Sequence, residues 1–154
     1  MVVKKTFRLT NEGVAEMQRE LADLLQQRAS IADAISTARE FGDLSENTEY
    51  QSARAMQERN DARVTELEHI LKNVELIKAP KAGAKVQLGS KVVLKGAHGT
   101  KEFQVVGTVE ADPLNGKISD ESPIGQALLG KKEGDNVEIK TPAETATYTV
   151  ASIG

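Results

Sequence analysis

The chain has 154 residues, with 20 Lys and Arg against 23 Asp and Glu, a net charge of −3 and no cysteine. That length fits one domain or two small ones; the acidic balance argues against autonomous binding to DNA or RNA, leaving nucleic-acid contact to a larger complex; and without cysteine there is neither a disulfide framework nor a thiolate metal site. No stretch approaches the roughly 20 apolar residues needed to span a bilayer, and MVVKKTFRLTNEG lacks the apolar run of a signal peptide, so a cytoplasmic protein with no membrane partner is expected.

Residues up to about 78 carry almost no strand or turn signal: Gly13 and Gly42 are the only glycines, there is no proline, and strong helix formers dominate. Thr10 is a candidate N-cap. From there Val14, Met17, Leu21, Leu24, Arg28, Ile31, Ile35 and Ala38 step by three and four, a heptad seam broken only at Arg28. A second seam with the same rhythm runs Ala53, Met56, Asn60, Arg63, Leu67, Ile70, Val74, Ile77. The two match as an antiparallel hairpin if facing positions have a constant sum, pairing Val14 with Ile77, Leu24 with Leu67 and Ala38 with Ala53. That register puts the symmetry point between Ser45 and Glu46, Arg28 opposite Arg63, and Ile31 opposite Asn60. Asp33, Asp61 and Glu66 are the candidates to neutralise this polar middle. Arms of about 30 residues would each be about 45 Å long. Such a rod has little core of its own: it is either an oligomerisation arm or a structure built to reach into something.

The turn itself reads FGDLSENTEY, with Asp43, Glu46 and Glu49 at every third position after Gly42. Two readings stand. D-x-x-E before a helix is the pattern of a capping box, with Asp43 as N-cap and Glu46 reaching back. Alternatively, carboxylates on an exposed tip are hard oxygen donors suited to Mg²⁺. Two of them would not hold the ion well alone, but they would complete a site already furnished with carboxylates and a phosphodiester, and one could accept a proton from an attacking water. Asn47 is either a local cap or a ligand orienter, and Phe41 and Tyr50 are expected to pack together and close the tip.

From Ala79 the grammar changes. APKAGAKVQLG, with Pro80, Gly83 and Gly89, reads as a linker. Beyond it KVVLKG, EFQVVGTVEA, DNVEIKT and TATYTVASI are strand-like. SPIGQALLG between them suits a short helix, with Pro123 in the first turn and Gly130 as C-terminal cap. A small α+β domain of mostly antiparallel sheet is expected. His69 and His98 are far apart and offer no metal pair.

The stretch Ala38, Arg39, Glu40, Gly42, Asp43, Leu44, Glu46, Asn47, Glu49, Tyr50, Ala53, Arg54 matches, position by position, the tip pattern A-R-E-x-G-D-L-x-E-N-x-E-Y-x-x-A-R of the Gre family, the bacterial transcript cleavage factors, which it resembles closely. LTNEG near the start and SPIGQALLGKKEGDNVEIKTP near the end are similar to two further family segments, so the resemblance covers nearly the whole chain. It implies an α+β protein in two parts: residues 1–78 as an antiparallel coiled-coil hairpin with its acidic tip near 42–47, and residues 79–154 as an FKBP-like domain that docks on bacterial RNA polymerase. It implies that the hairpin enters the polymerase secondary channel and stimulates the polymerase's own cleavage of backtracked RNA. By the same resemblance, Asp43 and Glu46 are the acidic pair that shares a polymerase-bound Mg²⁺ and handles the attacking water, Arg39 and Arg54 face the 3′ end of the nascent RNA, and the protein has no cofactor of its own, the Mg²⁺ being supplied in the polymerase active site. A monomer that is a factor and not an enzyme is expected. The alternative for the two arginines is ordinary surface pairing, with Glu40 or Glu58 for example. Family relatives with altered tips enter the channel and inhibit, which makes a regulator without cleavage the alternative; a free-standing nuclease is disfavoured by so few acids at one point.

Overall fold

The computed structural model describes residues 6–42, 46–78, 80–81, 84–140, 142–143 and 145–154. In chain order the elements are β1 (Phe7–Leu9), α1 (Asn11–Arg39), α2 (Thr48–Lys72), β2 (Val74–Leu76), β3 (Lys91–Gly96), β4 (Gly99–Val106), β5 (Lys117–Ser119), α3 (Pro123–Leu128), β6 (Asn136–Lys140) and β7 (Thr145–Ile153). They fall into two compact units: Val14–Asn73 forms one, and Met1–Gly13 together with Val74–Gly154 forms the other.

The first unit is a helical hairpin. Its interior is thin: Met17, Ile31, Ile35 and Ala38 from α1 meet Ala53, Val64, Leu67 and Ile70 from α2, and polar groups supply the rest. Asn60 is buried and donates from Nδ2 to the Leu24 carbonyl at 3.1 Å. Arg63 makes a two-pronged contact with Glu20, at 2.7 and 3.0 Å, and reaches Glu66 at 3.1 Å. Arg28 pairs with Asp61 at 3.6 Å. Arg63 and its hydrogen bonds hold the Glu20 carboxyl below the usual range, and the two glutamates raise the Arg63 guanidinium above its own.

These contacts correct the register expected from the seams. Asn60 faces Leu24 rather than Ile31, one heptad earlier, and Arg63 faces Glu20 rather than Arg28. A strict three-four repeat is self-similar under a shift of one heptad, so apolar spacing alone cannot choose between the two registers. The shift moves the symmetry point from the Ser45–Glu46 junction back toward Gly42. Met56, assigned to the seam, is 48% exposed, and Val64 takes the interior place given to Arg63. The polar middle is neutralised by Asp61 and Glu66, as two of the three candidates suggested, and by Glu20, which the shifted register had hidden.

The second seam also ends early. α2 stops at Lys72, capped at Asn73, and Val74–Leu76 is strand, pairing in parallel with Phe7–Leu9 in the register Phe7↔Val74 to Leu9↔Leu76. Leu9 is wholly buried. The globular unit therefore takes its first strand from before the hairpin and its second from after it.

The main sheet of that unit has the order β5-β4-β3-β7-β6, antiparallel except for β4 with β5. Its core is Val92 and Leu94 from β3, Val105 from β4, Val137 and Ile139 from β6, and Tyr148, Val150 and Ile153 from β7, closed by Leu128 of α3. The step from Val150 to Ile153 breaks the two-residue alternation because a bulge shifts the register between Val93 and Leu94. α3 is as its sequence foretold: Ser122 caps it by accepting from the Gly125 N–H, Pro123 opens it, and Gly130 follows it at φ +80°. The helix buries Gly125 and Leu128 and shows Pro123, Gln126 and Leu129 to solvent, so SPIGQALLG is both core and surface. The described part of APKAGAKVQLG is more than a linker, since Val86 lies in the core and the Gly89 N–H bonds to the Val105 carbonyl. EFQVVGTVEA leaves the sheet at Val106, where the β5 ladder ends, and Thr108–Glu110 coils into a 3-10 turn.

Candidate functional site

The hairpin tip is built from the last turn of α1, a bend at Gly42 and the first turn of α2. The N–H groups of Glu40, Phe41 and Gly42 bond to the carbonyls of Thr37, Ala38 and Arg39, tightening the helix end. Gly42 then takes φ +106°, a conformation that carries a steric cost for any other residue. Asp43 lies outside the described residues, as do Leu44 and Ser45.

The N-cap of α2 is Asn47. Its Oδ1 accepts the Tyr50 N–H at 3.1 Å, and its backbone carbonyl accepts from Gln51 at 3.0 Å. The capping box centred on Asp43 and Glu46 is thereby corrected: the helix starts at Thr48, and Glu46 precedes the cap. The Asn47 side chain also donates from Nδ2 to the Ala38 carbonyl at 2.5 Å. Glu46 is exposed, and among the described residues no hydrogen bond or ion pair occupies it. Glu49 sits in the first turn of α2, where the helix macrodipole favours a negative charge.

The flanking residues divide. Tyr50 packs on the cluster of Ile31, Ile35 and Ala53, and the Arg39 guanidinium stands 5.8 Å from the centre of its ring. Phe41 is 68% exposed, so the expected closure of the tip by Phe41 on Tyr50 is not what the structure has. Arg54 hydrogen-bonds Gln57 at 3.0 Å. Both Arg39 and Arg54 are exposed, and among the described residues neither forms an ion pair with Glu40 or Glu58, the alternative to an RNA-facing role. The exposed carboxylates of Glu40, Glu46 and Glu49 and the exposed guanidiniums of Arg39 and Arg54 thus surround one end of the hairpin, with the aromatic face of Tyr50 orienting Arg39.

Sequence reasoning missed a second polar centre, in the globular unit. Glu110 is buried and accepts from the Thr10 N–H at 2.8 Å and the Thr10 hydroxyl at 2.6 Å, while the Thr10 hydroxyl oxygen accepts from the Gly13 N–H at 3.0 Å. Thr10 is the N-cap expected, and its carboxylate partner lies a hundred positions away, beyond the reach of any local pattern.

A family profile described as "Transcription elongation factor, N-terminal" matches residues 7–76, and one described as "Transcription elongation factor, GreA/GreB, C-term" matches residues 80–154. The chain belongs to the GreA/GreB family. Among curated relatives, a "Transcription elongation factor GreA" of Acholeplasma laidlawii is 46% identical, the match covering 92% of this chain and 91% of the relative; one of Oenococcus oeni is 45% identical, covering 97% and 94%. Among solved structures, that of the "GreA factor homolog 1 (Gfh1) protein of Thermus thermophilus" covers 97% of this chain and 99% of its own, at 28% identity and a TM-score of 0.45. The two profiles of the GreA/GreB family together account for residues 7–76 and 80–154 of this chain.

Proposed function

We propose that this protein is a transcription elongation factor that enters the secondary channel of RNA polymerase as a monomer in the cytoplasm and stimulates the polymerase's own cleavage of backtracked RNA. The observation that carries the reading is the position of Glu46. An acid that capped α2 would have its function inside the fold; Glu46 lies outside the helix, exposed, with the cap supplied by Asn47. Its family membership and the GreA names of its full-length relatives support the elongation-factor role.

Asp43 and Glu46 are two carboxylates, and Mg²⁺ sites ordinarily take one or two protein carboxylates with phosphate oxygens and water filling the remainder, so the pair suits an ion shared with the polymerase. Glu46 with Asp43 would hold the ion from one side against the polymerase's own carboxylates. When bound, Mg²⁺ supplies charge stabilisation to the attacking and leaving oxygens and lowers the pKa of its water. The tip carboxylates orient that water and accept its proton. Arg39 and Arg54 contact phosphates of the extruded 3′ end, which positions the RNA without reading its sequence. The globular unit docks on the polymerase, with the exposed face of α3 as the candidate surface.

The test uses polymerase stalled in a backtracked complex carrying 3′-labelled RNA. Wild-type protein is expected to release short 3′ fragments. Asp43→Asn and Glu46→Gln are each expected to lower the rate at least ten-fold with polymerase binding retained, in line with general-base contributions of about 10²–10⁴. Binding without cleavage by the wild type would make the protein a channel-occupying regulator instead.

A further inference from the structure

We propose that Asn47 is a positioning residue that fixes the backbone at Glu46 by clasping the two helices together across the tip. A cap needs only the Asn47 oxygen. In this hairpin the same amide also uses its nitrogen, which donates to the carbonyl of Ala38 in the last turn of α1, while Oδ1 accepts the Tyr50 N–H in the first turn of α2. Both partners demand the same orientation of the amide: Tyr50 offers a donor and so needs the oxygen, and Ala38 offers an acceptor and so needs the nitrogen. Ala38 is buried and its carbonyl also accepts from Phe41, so both of its lone pairs are engaged. Asn47 is half-buried, and its own carbonyl is held by Gln51. Three backbone groups on two helices, the Ala38 carbonyl and the Tyr50 and Gln51 N–H groups, therefore converge on one residue, and Glu46 immediately precedes it in the chain.

The consequence for Glu46 is entropic. A carboxylate on a loose turn must lose the backbone freedom of the turn each time it engages a metal, an entropy cost that opposes binding. With Asn47 clasped, Glu46 keeps its side-chain rotamers but begins from a fixed Cα neighbour, and a reacting group held in place retains the advantage of proximity. The role in cleavage rests on the cleavage-factor reading; the clasp itself does not.

The discriminating variants are Asn47→Asp and Asn47→Ser. Each keeps an oxygen to cap Tyr50, and Asp suits a helix N-terminus well. Asp has no donor for Ala38, and Ser has one oxygen, a bond closer to the backbone than Nδ2, in place of the two amide atoms that reach Tyr50 and Ala38 separately; in Asn47→Asp a carboxylate oxygen faces the carbonyl that Nδ2 had bonded. Two readouts are taken on the full chain. The amide order parameter of Glu46 in the free protein is expected to be near the rigid value of about 0.85 in the wild type and to fall toward about 0.6 in both variants, with helix content and melting temperature kept. In the backtracked complex, the cleavage rate at saturating factor is expected to fall about ten-fold or more while the factor concentration for half-maximal effect stays put, and the Mg²⁺ concentration for half-maximal rate is expected to rise. Wild-type order parameters, or wild-type saturating rate and Mg²⁺ dependence, in both variants would reduce Asn47 to a simple cap and overturn the proposal. A fall in rate accompanied by an equal fall in melting temperature would also overturn it. If the order parameters change as expected but the wild type cleaves nothing, the clasp stands and the cleavage-factor reading falls.

Discussion

Gly13 shows how one residue's tolerance is decided elsewhere in the chain. It lies in the first turn of α1, where replacing Gly with Ala ordinarily stabilises a helix by up to about 1 kcal/mol. Here a Cβ would stand 2.5 Å from the carboxyl carbon of Glu110, which is buried and held by both donors of Thr10. Glu110 cannot swing aside without surrendering those bonds. Gly13→Ala is therefore expected to destabilise the protein by about 1–3 kcal/mol, read from the urea midpoint. In a Glu110→Ala background the same substitution is expected to become neutral or stabilising, and additivity of the two changes would refute the contact as the cause. The glycine and threonine of LTNEG were legible as a cap and a helix start, but their reason was not, because the carboxylate that selects them comes from the far side of the sequence. At the tip the reverse holds: every group was named in the linear pattern, but the assignment of the α2 cap to Asn47 and the parting of Phe41 from Tyr50 needed coordinates.

At the scale of the element, the hairpin is held by a narrow apolar line with a polar centre, and the polar centre sets the register. Apolar positions repeat each heptad; Asn60, Arg63, Glu20, Arg28 and Asp61 do not. Asn60→Leu is expected to raise the melting temperature, since the Asn60 Oδ1 is buried without a partner and the Leu24 carbonyl belongs to a helix already. It should also loosen register, as removal of a polar interior residue does in coiled coils. Because the natural chain has no cysteine, pairs of introduced cysteines report this cleanly: crosslinks across one register alone are expected in the wild type and across two registers one heptad apart in Asn60→Leu. The Glu20–Arg63 pair makes a pH-dependent contribution. The Glu20 carboxyl is depressed by Arg63, so the folded state prefers its charged form. The stability it adds is present above the ordinary carboxylate range and is lost as pH falls through the depressed folded value. Both side chains are more than a third exposed, so solvent screening limits the coupling to under about 1 kcal/mol, and less in high salt. The urea midpoints of wild type and Glu20→Gln should differ at pH 7 and converge in acid; a constant offset would show that Glu20 acts through packing. The helices, the Thr10 cap, the opening of α3 by Pro123 and four of the strands were readable from periodicity and turn chemistry. β1, β2 and β5 were not, being three residues each, with β1 and β2 paired to one another over a long interval, and the heptad register was not, being a choice between two patterns that look alike in sequence.

For the molecule as a whole, the globular unit is discontinuous in sequence. Its main sheet needs only residues beyond Val74, but Leu9, wholly buried, arrives from the other side of the hairpin. Leu9→Ala is expected to cost about 2–5 kcal/mol, seen as an earlier unfolding transition of the globular unit, and a chain starting at Val74 should show a comparable deficit. Equal stability of the shortened chain would mean that the parallel pair contributes nothing.

That interruption also orders events during synthesis. Phe7–Leu9 leaves the ribosome early, yet the strand that completes its ladder is made only after both helices have been translated. In the interval α1 and α2 have all their own contacts within reach, and helices form far faster than residues are added. The nascent protein thus acquires a finished hairpin while Leu9 of β1 still has no place to be buried, and segments made after the hairpin, β2 and the Thr108–Glu110 turn, are the ones that release it from that exposure.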